Sequence, residues 1–194
     1  MNMNASHSLT ISNIETFGQD WPQHQQTEAT MMASDNSGVH IGFIRILVPV
    51  NADEDSRWGI RYALRQRHLG NQVEVILLHI GEPITQWQVL RFRTQQEIAQ
   101  FQSKRAQAFI EDAAKPLTAE SIPYRGFFKQ GEVAFAILDA AEELDCHEIA
   151  MPLCKTVFWG IFSRDILYKV TNRQRNIPVI AVRSDGIPGD IQGI

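Results

Sequence analysis

The residues with the greatest chemical capacity stand directly after the first strongly apolar run, in Asn51-Ala52-Asp53-Glu54-Asp55-Ser56. This turn carries three carboxylates and no glycine, so it repels phosphates and gives an adenylating enzyme no place to hold a nucleotide. A serine hydrolase needs its nucleophile on a strand-to-helix elbow, and no G-x-S-x-G occurs. His68, His79 and His147 lie on or beside predicted core elements without a partner motif, and are read as packed or surface histidines rather than bases. Weak ATP hydrolysis or nucleotidyl transfer would require a positioned base and a metal-binding acid pair, neither of which is visible, so no enzyme activity and no metal site are expected. Arg57, Arg61 and Arg65 recur every four residues as the solvated face of a helix, with Asp53 and Arg57 spaced to pair. Lys155 and Arg164 flank an aromatic run and have the charge to meet phosphates, although solvation is the simpler reading. Arg91 and Arg93 with Trp87 and Phe92 mix bases and aromatics, but one such cluster is no nucleic-acid platform. Cys146 and Cys154 form neither a disulfide framework nor a CxxC pair; flanking a predicted buried strand, they are read as small hydrophobes.

The elements that must position these residues alternate. Ile44 to Val50 is a β-branched run closed by Asn51 and reads as a buried strand. The acidic turn then leads into a helix with Ile60, Ala63, Leu64 and His68 at helical spacing, stopped by Gly70. Gln72 to Ile80 is a second strand, and a helix near Gln95 to Leu117 carries Ile98, Phe101, Phe109 and Ala113 on one face. A third strand at Ile122 to Lys129 precedes a helix at Glu132 to Leu144, with Val133, Ile137, Ala140 and Leu144 inward. Glu148 to Pro152 is a fourth strand, a helix lies between Ser163 and Arg173, and Pro178 to Arg183 is a fifth strand. Strands separated by crossover helices require a doubly wound α/β fold: a five-stranded parallel sheet with helices on both faces.

A chain of 194 residues is normally one domain, and its 44% hydrophobic and 21% charged residues are ordinary for a globular protein. Runs such as Val75 to Leu78 are far shorter than the roughly 18 residues that cross a bilayer. The four carboxylates before Arg45, namely Glu15, Asp20, Glu28 and Asp35, meet no Lys or Arg and account for the whole formal charge of −4. The remainder is balanced, which removes the electrostatic footing of a nucleic-acid binder. Residues 1–43 are expected to be a disordered polar acidic tail, because their hydrophobics are too sparse to offset ordering entropy; the alternative is that Leu9 to Phe17 docks as a short strand or helix. Residues 44–184 are expected to form the domain and 185–194 a flexible C-terminal tail. Neither a basic n-region nor an apolar h-region is present, so a cytoplasmic location is expected.

Five segments in register resemble the universal stress protein family. IRILVPVNADEDSRWGIRYAL is similar to its opening strand, acidic turn and first helix, and VEVILLHIGEP to its second strand. GEVAFAILDAAEEL, EIAMP and PVIAVR are similar to its third helix, fourth strand and closing strand. The resemblance implies strand order 3-2-1-4-5, a dimer pairing closing strands and, in one branch, ATP or AMP held in the sheet's crevice. In an open parallel sheet that crevice lies beyond the strand ends where the order reverses. Its candidate residues are Pro49, Val50 and Asn51 on one side, Met151 and Pro152 on the other, with Ile80 at the second strand's end and Lys155 and Arg164 beyond.

The nucleotide-binding branch follows its fourth strand with a loop GxxG, nine residues, then Gly-Ser or Gly-Thr at a helix start. Here Pro152 and Lys155 replace the loop glycines, Arg164 and Asp165 stand at the Gly-Ser place, and Asn51 takes the position of that branch's nucleoside-contacting aspartate. Proline removes an amide donor and Asp165 sets a negative charge beside the expected phosphates. The chain is therefore identified with the branch lacking the glycine-rich loop. It is expected to be a non-catalytic regulatory or protective protein without bound cofactor, acting as a dimer through protein contacts, with an ATP or AMP sensor as the alternative. The dimer is expected through Pro178 to Arg183, whose edge would otherwise stay open. Val157 to Phe162 needs burial and is assigned to this chain's own sheet, a protein partner or, least favoured, a membrane wedge.

Overall fold

Apolar runs without polar alternation become strands covered on both faces; the structure, a computed structural model, describes residues 43–81, 94–153, 164–174 and 176–191, together with the backbone of 15–17. The strands in chain order are β1 Glu15–Phe17, β2 Phe43–Pro49, β3 Gln72–Gly81, β4 Tyr124–Gln130, β5 Glu148–Pro152 and β6 Val179–Val182. The helices are α1 Trp58–His68, entered through a 3-10 turn at Glu54–Arg57, then α2 Gln95–Ala119, α3 Val133–Glu143 and α4 Arg164–Arg173. Capping fixes two helix starts. Thr94 and Glu97 form a capping box on α2, and the Glu132 carboxylate accepts from the Phe135 amide at 2.9 Å on α3.

The sheet runs β1-β4-β3-β2-β5-β6, and its five parallel strands taken alone have the order 3-2-1-4-5. Alternate residues of β2 serve opposite layers. Ile46 and Val48, with Val50 just beyond the strand, pack with Ile60, Ala63, Ile110, Ala113 and Leu117 of α1 and α2, whereas Leu47 packs with Ile137, Ala140, Leu167 and Val170 of α3 and α4. The α2 face differs from expectation at Phe101, which is 62% exposed while Ile98, Ala106, Ile110, Ala113 and Leu117 are buried. Phe101 precedes Ile110 by nine positions, half a turn out of phase at about 100° per residue. Among the described residues, no helix is long and apolar enough to cross a membrane.

Within the terminal segments the structure describes two paired stretches, the first of them inside the Leu9 to Phe17 span for which docking as a short strand was the alternative. Glu15–Phe17 pairs antiparallel with β4, Glu15 opposite Phe128 and Phe17 opposite Gly126, because the outer edge of β4 offers unpaired backbone groups. Phe43, placed at the end of the tail, already belongs to β2. At the other end the chain turns back in a hairpin over β6. The Gly186 amide donates to the Arg183 carbonyl at 2.9 Å, Arg183 donates to Ile187 at 2.9 Å, and Gly189 donates to Ala181 at 2.7 Å, with Val182 opposite Pro188. Gly186 has φ +77°, the left-handed position that follows a type I turn in a three-residue hairpin loop. Ile191 packs on the α3/α4 core. The closing-strand edge, expected to be open, is partly occupied by this chain itself.

Candidate functional site

The site begins where β2 leaves the sheet. The Val50 amide donates to the Leu78 carbonyl at 2.8 Å, which holds the first residue beyond β2 beside β3. Asn51, 6% exposed, then turns on its own side chain: its Oδ1 accepts from the Asp53 amide and its Nδ2 donates to Asp53 Oδ2, both at 2.8 Å. Fully buried Ser56 donates to the Asp53 carbonyl at 2.7 Å. This Asx-type turn explains why asparagine suits the position, and it ties the amide to the protein's own acidic loop.

Because β2 pairs with both β3 and β5, the ends of these three strands meet. Pro49, Val50, Asn51, Ile80, Met151 and Pro152 are all buried there. Their side chains divide between layers, Val50 joining the α1/α2 cluster and Ile80 and Met151 the α3/α4 cluster. Lys155, Cys154 and the Val157 to Phe162 run lie outside the described residues, as does the Arg91 and Arg93 cluster with Trp87 and Phe92. Arg164 is described through its backbone, which opens α4 next to the exposed Asp165.

Sequence reasoning passed over His79 as part of the site. Its Nδ1 lies 2.8 Å from the Val50 carbonyl oxygen, so the ring donates from Nδ1 and its tautomer follows. Phe109 and Phe128 flank the ring at centroid distances of 5.1 and 6.1 Å. Burial pushes the His79 pKa down, with Arg105 adding to the effect and the Val50 bond opposing it. The imidazole is therefore a neutral strut between β3 and β2. A polar residue inside the otherwise apolar VILLHI run was the available signal.

Among the described residues, three cations around the site are engaged in ion pairs. Lys129, 9% exposed at the end of β4, pairs with Asp139 and with Glu143 at 3.1 Å. Arg57 does not pair with Asp53; its Nη2 reaches Asp112 Oδ2 at 2.6 Å, while Asp53 is held by Asn51. Arg61 pairs with Glu54 and donates to the Ser184 carbonyl at 2.8 Å. At the far end of the sheet, His147 Nδ1 accepts from the Arg45 amide at 3.0 Å, and exposed His68 lies 3.6 Å from Glu120. Burial pushes the Cys146 thiol up to about 12, which keeps it protonated and unreactive. Among the described residues no three metal-ligating side chains cluster. The described floor is thus apolar with an acidic lip.

The model of the "Universal stress protein family" matches residues 42–156. Among solved structures, hypothetical protein MJ0577 is similar at 21% identity and TM-score 0.57, over 72% of this chain and 95% of that one. The universal stress protein from Archaeoglobus fulgidus is similar at 20% identity and TM-score 0.52, over 72% and 93% of the two chains. UspA from Lactobacillus plantarum follows at 14% identity and TM-score 0.53, over 72% and 97%. At these identities the likeness to solved structures establishes the fold. No curated protein matches the chain.

Proposed function

The chain belongs to the universal stress protein family, and from that membership we propose that it is a non-catalytic regulatory or protective cytoplasmic protein that works through protein contacts and does not hold ATP by a glycine-rich loop. The observation that carries this reading is the Asn51 side chain, bonded at both its oxygen and its nitrogen to Asp53. That closure puts a carboxylate at the mouth of the crevice where a nucleotide would bring negative charge. Pro152 and Lys155 in place of the loop glycines act in the same direction, since backbone amides cannot wrap phosphates there. Contacts through Val157 to Phe162 and self-association through Pro178 to Arg183 belong to the proposal, the latter on the condition that the C-terminal hairpin gives way. The balanced body argues against nucleic acid and against stable membrane anchoring.

Isothermal titration with ATP, ADP, AMP and cyclic nucleotides tests the reading, supported by mass spectrometry of the denatured protein for co-purified nucleotide. The expected result is no heat and no nucleotide; low-micromolar binding of any of these overturns it. The alternative is a nucleotide sensor with a rebuilt phosphate site, favoured by the apolar floor at Val50, Ile80 and Met151 at the sheet's switch point. In that case Lys155→Ala and Arg164→Ala abolish the titration heat, and a variant with Pro152→Gly, Lys155→Gly, Arg164→Gly and Asp165→Ser binds ATP no better than the natural chain.

A further inference from the structure

The outer edge of β4 is open to a further strand by its own chemistry. The Val75 amide donates to the Pro123 carbonyl at 3.0 Å and the Gly131 amide to the Gly81 carbonyl at 3.4 Å, so the odd-numbered residues of this stretch turn their backbone groups to β3. Tyr124, Gly126, Phe128 and Gln130 therefore turn theirs outward. The strand lacks the devices that blunt an edge. It has no proline, and both its charged side chains are drawn to carboxylates on neighbouring elements, Arg125 to Glu74 at 2.8 Å and Lys129 to Asp139 and Glu143.

β1 occupies half of this edge. Glu15 stands opposite Phe128 and Phe17 opposite Gly126, so these two pairs exchange backbone bonds, whereas Thr16, opposite Phe127, turns its amide away from β4. Tyr124 and Gln130 lie beyond the three residues of β1. Phe127 belongs to the α3/α4 layer, which places Gly126 and Phe128, with Phe17 and Glu15 opposite them, on the α2 side of the sheet. Phe17 stands across from a glycine, the edge pairing in which an aromatic residue makes good the missing side chain. Glu15 stands across from Phe128, whose ring stacks on His79 at 6.1 Å; Phe109, 5.1 Å from His79, carries the Arg105 guanidinium 5.3 Å over its ring. A positive charge on this face favours an acid at the position opposite Phe128.

We propose that the outer edge of β4 is a docking site for an extended segment of a partner protein, with an acid and an aromatic residue two apart and paired antiparallel as Glu15 and Phe17 are, and that β1 is the chain's own competitor for it. The inference rests on the protein-contact reading above and gives it a partner class. Main-chain bonds supply the affinity and alternate side chains the selectivity. β1 bonds at two outward residues of β4 and a longer strand bonds at all four, so a partner gains where the resident strand stops. The tether of residues 18–42 between β1 and β2 holds β1 at high effective concentration, and it yields only to a segment that pairs further.

Fluorescence anisotropy tests this with a labelled peptide of residues 9–21, long enough to reach Tyr124 and Gln130. It is titrated into two full-length chains, the natural one and a Glu15→Pro, Phe17→Pro variant that lacks both amides β1 gives to β4. The peptide should bind the variant at least about tenfold more tightly than the natural chain, where β1 competes. N-methylation of the peptide at its Phe17 amide should abolish binding, and N-methylation at its Thr16 amide should leave it intact. A peptide carrying Glu15→Gln and Phe17→Ala should bind about two- to fivefold more weakly. Hydrogen exchange gives a readout that needs no variant: in the natural chain, saturating peptide should slow the Tyr124 and Gln130 amides, which β1 does not reach. Equal affinity for the two chains, indifference to methylation at Phe17 or to the two side-chain changes, or unaltered exchange at Tyr124 and Gln130 overturns the proposal. So does association of the natural chain with the variant that the peptide abolishes, which would make a second copy the occupant. Nucleotide titration is independent of these outcomes, so failure here leaves the functional reading standing, and heat with ATP would remove that reading without touching this edge.

Discussion

At the scale of single residues, polar groups around the crevice hold the protein together before they serve any ligand. Asn51 closes its own turn, Lys129 balances two α3 carboxylates, and His79 bridges β3 to the Val50 carbonyl. For His79 this carries a pH signature. Its folded pKa lies below the ordinary 6.5, so the unfolded chain takes up the proton first as pH falls. The stability it supplies is complete above about pH 6.5 and is lost as pH drops from there through the folded value. Glu148 acts oppositely: burial raises its pKa, with the nearby Tyr62 hydroxyl opposing, so its contribution is lost as pH rises through the folded value. Subtracting the melting curves of a His79→Asn variant, which keeps a donor near Nδ1 and cannot titrate, isolates the histidine. Between about pH 7.5 and about pH 5 the natural chain should lose more melting temperature than the variant. Parallel curves would show that His79 does not titrate differently on folding.

At the scale of elements, α1 approaches the sheet at Gly59, where a Cβ would stand 2.7 Å from Val48 Cγ1 and 2.9 Å from the Ala150 carbonyl oxygen. Helix propensity favours alanine by about 1 kcal/mol, whereas overpacking costs about 1 to 3 kcal/mol. The contact with Ala150 is to backbone and cannot yield by rotamer change, so overpacking wins. Gly59→Ala should lower the melting temperature by up to about 8 °C, read by circular dichroism, since the net cost is at most about 2 kcal/mol and a domain of this size loses about 2 to 4 °C per kcal/mol. A rise would mean that α1 can slide away from β2 and β5. Periodicity revealed the strands and helices well, with β4 beginning at Tyr124 rather than Ile122 and α2 ending at Ala119. The hairpin over β6 was not read from the sequence: Asp185-Gly186 is turn chemistry, but it follows Arg183-Ser184 rather than an apolar run, so the chain's end reads as a tail.

At the scale of the whole molecule, the terminal segments close the sheet, β1 along β4 and the C-terminal hairpin along β6. The two closures differ in strength. Three residues of β1 add few bonds, each worth about 0.5 to 1.5 kcal/mol net, so deleting Met1 to Ser37 should lower the melting temperature by less than about 5 °C. Amide exchange along Gly126 to Phe128 should quicken at the same time. A larger fall would show that more of the N-terminal segment packs on the domain than this strand.

What the amino-acid order determined by itself was local and periodic. Runs such as IRILVPV and QVEVILLHI can be buried only as strands covered on both faces, and helices between them require parallel crossovers, so the α/β class and the crevice at the ends of β2 and β5 follow. Only the tertiary structure decided how the polar residues were spent. Asp53 chooses Asn51 over Arg57, Arg57 crosses to Asp112 on α2, and residues 186–189 fold over β6. Each choice depends on which groups lie within about 3 Å once distant segments meet, a distance that no spacing along the chain encodes.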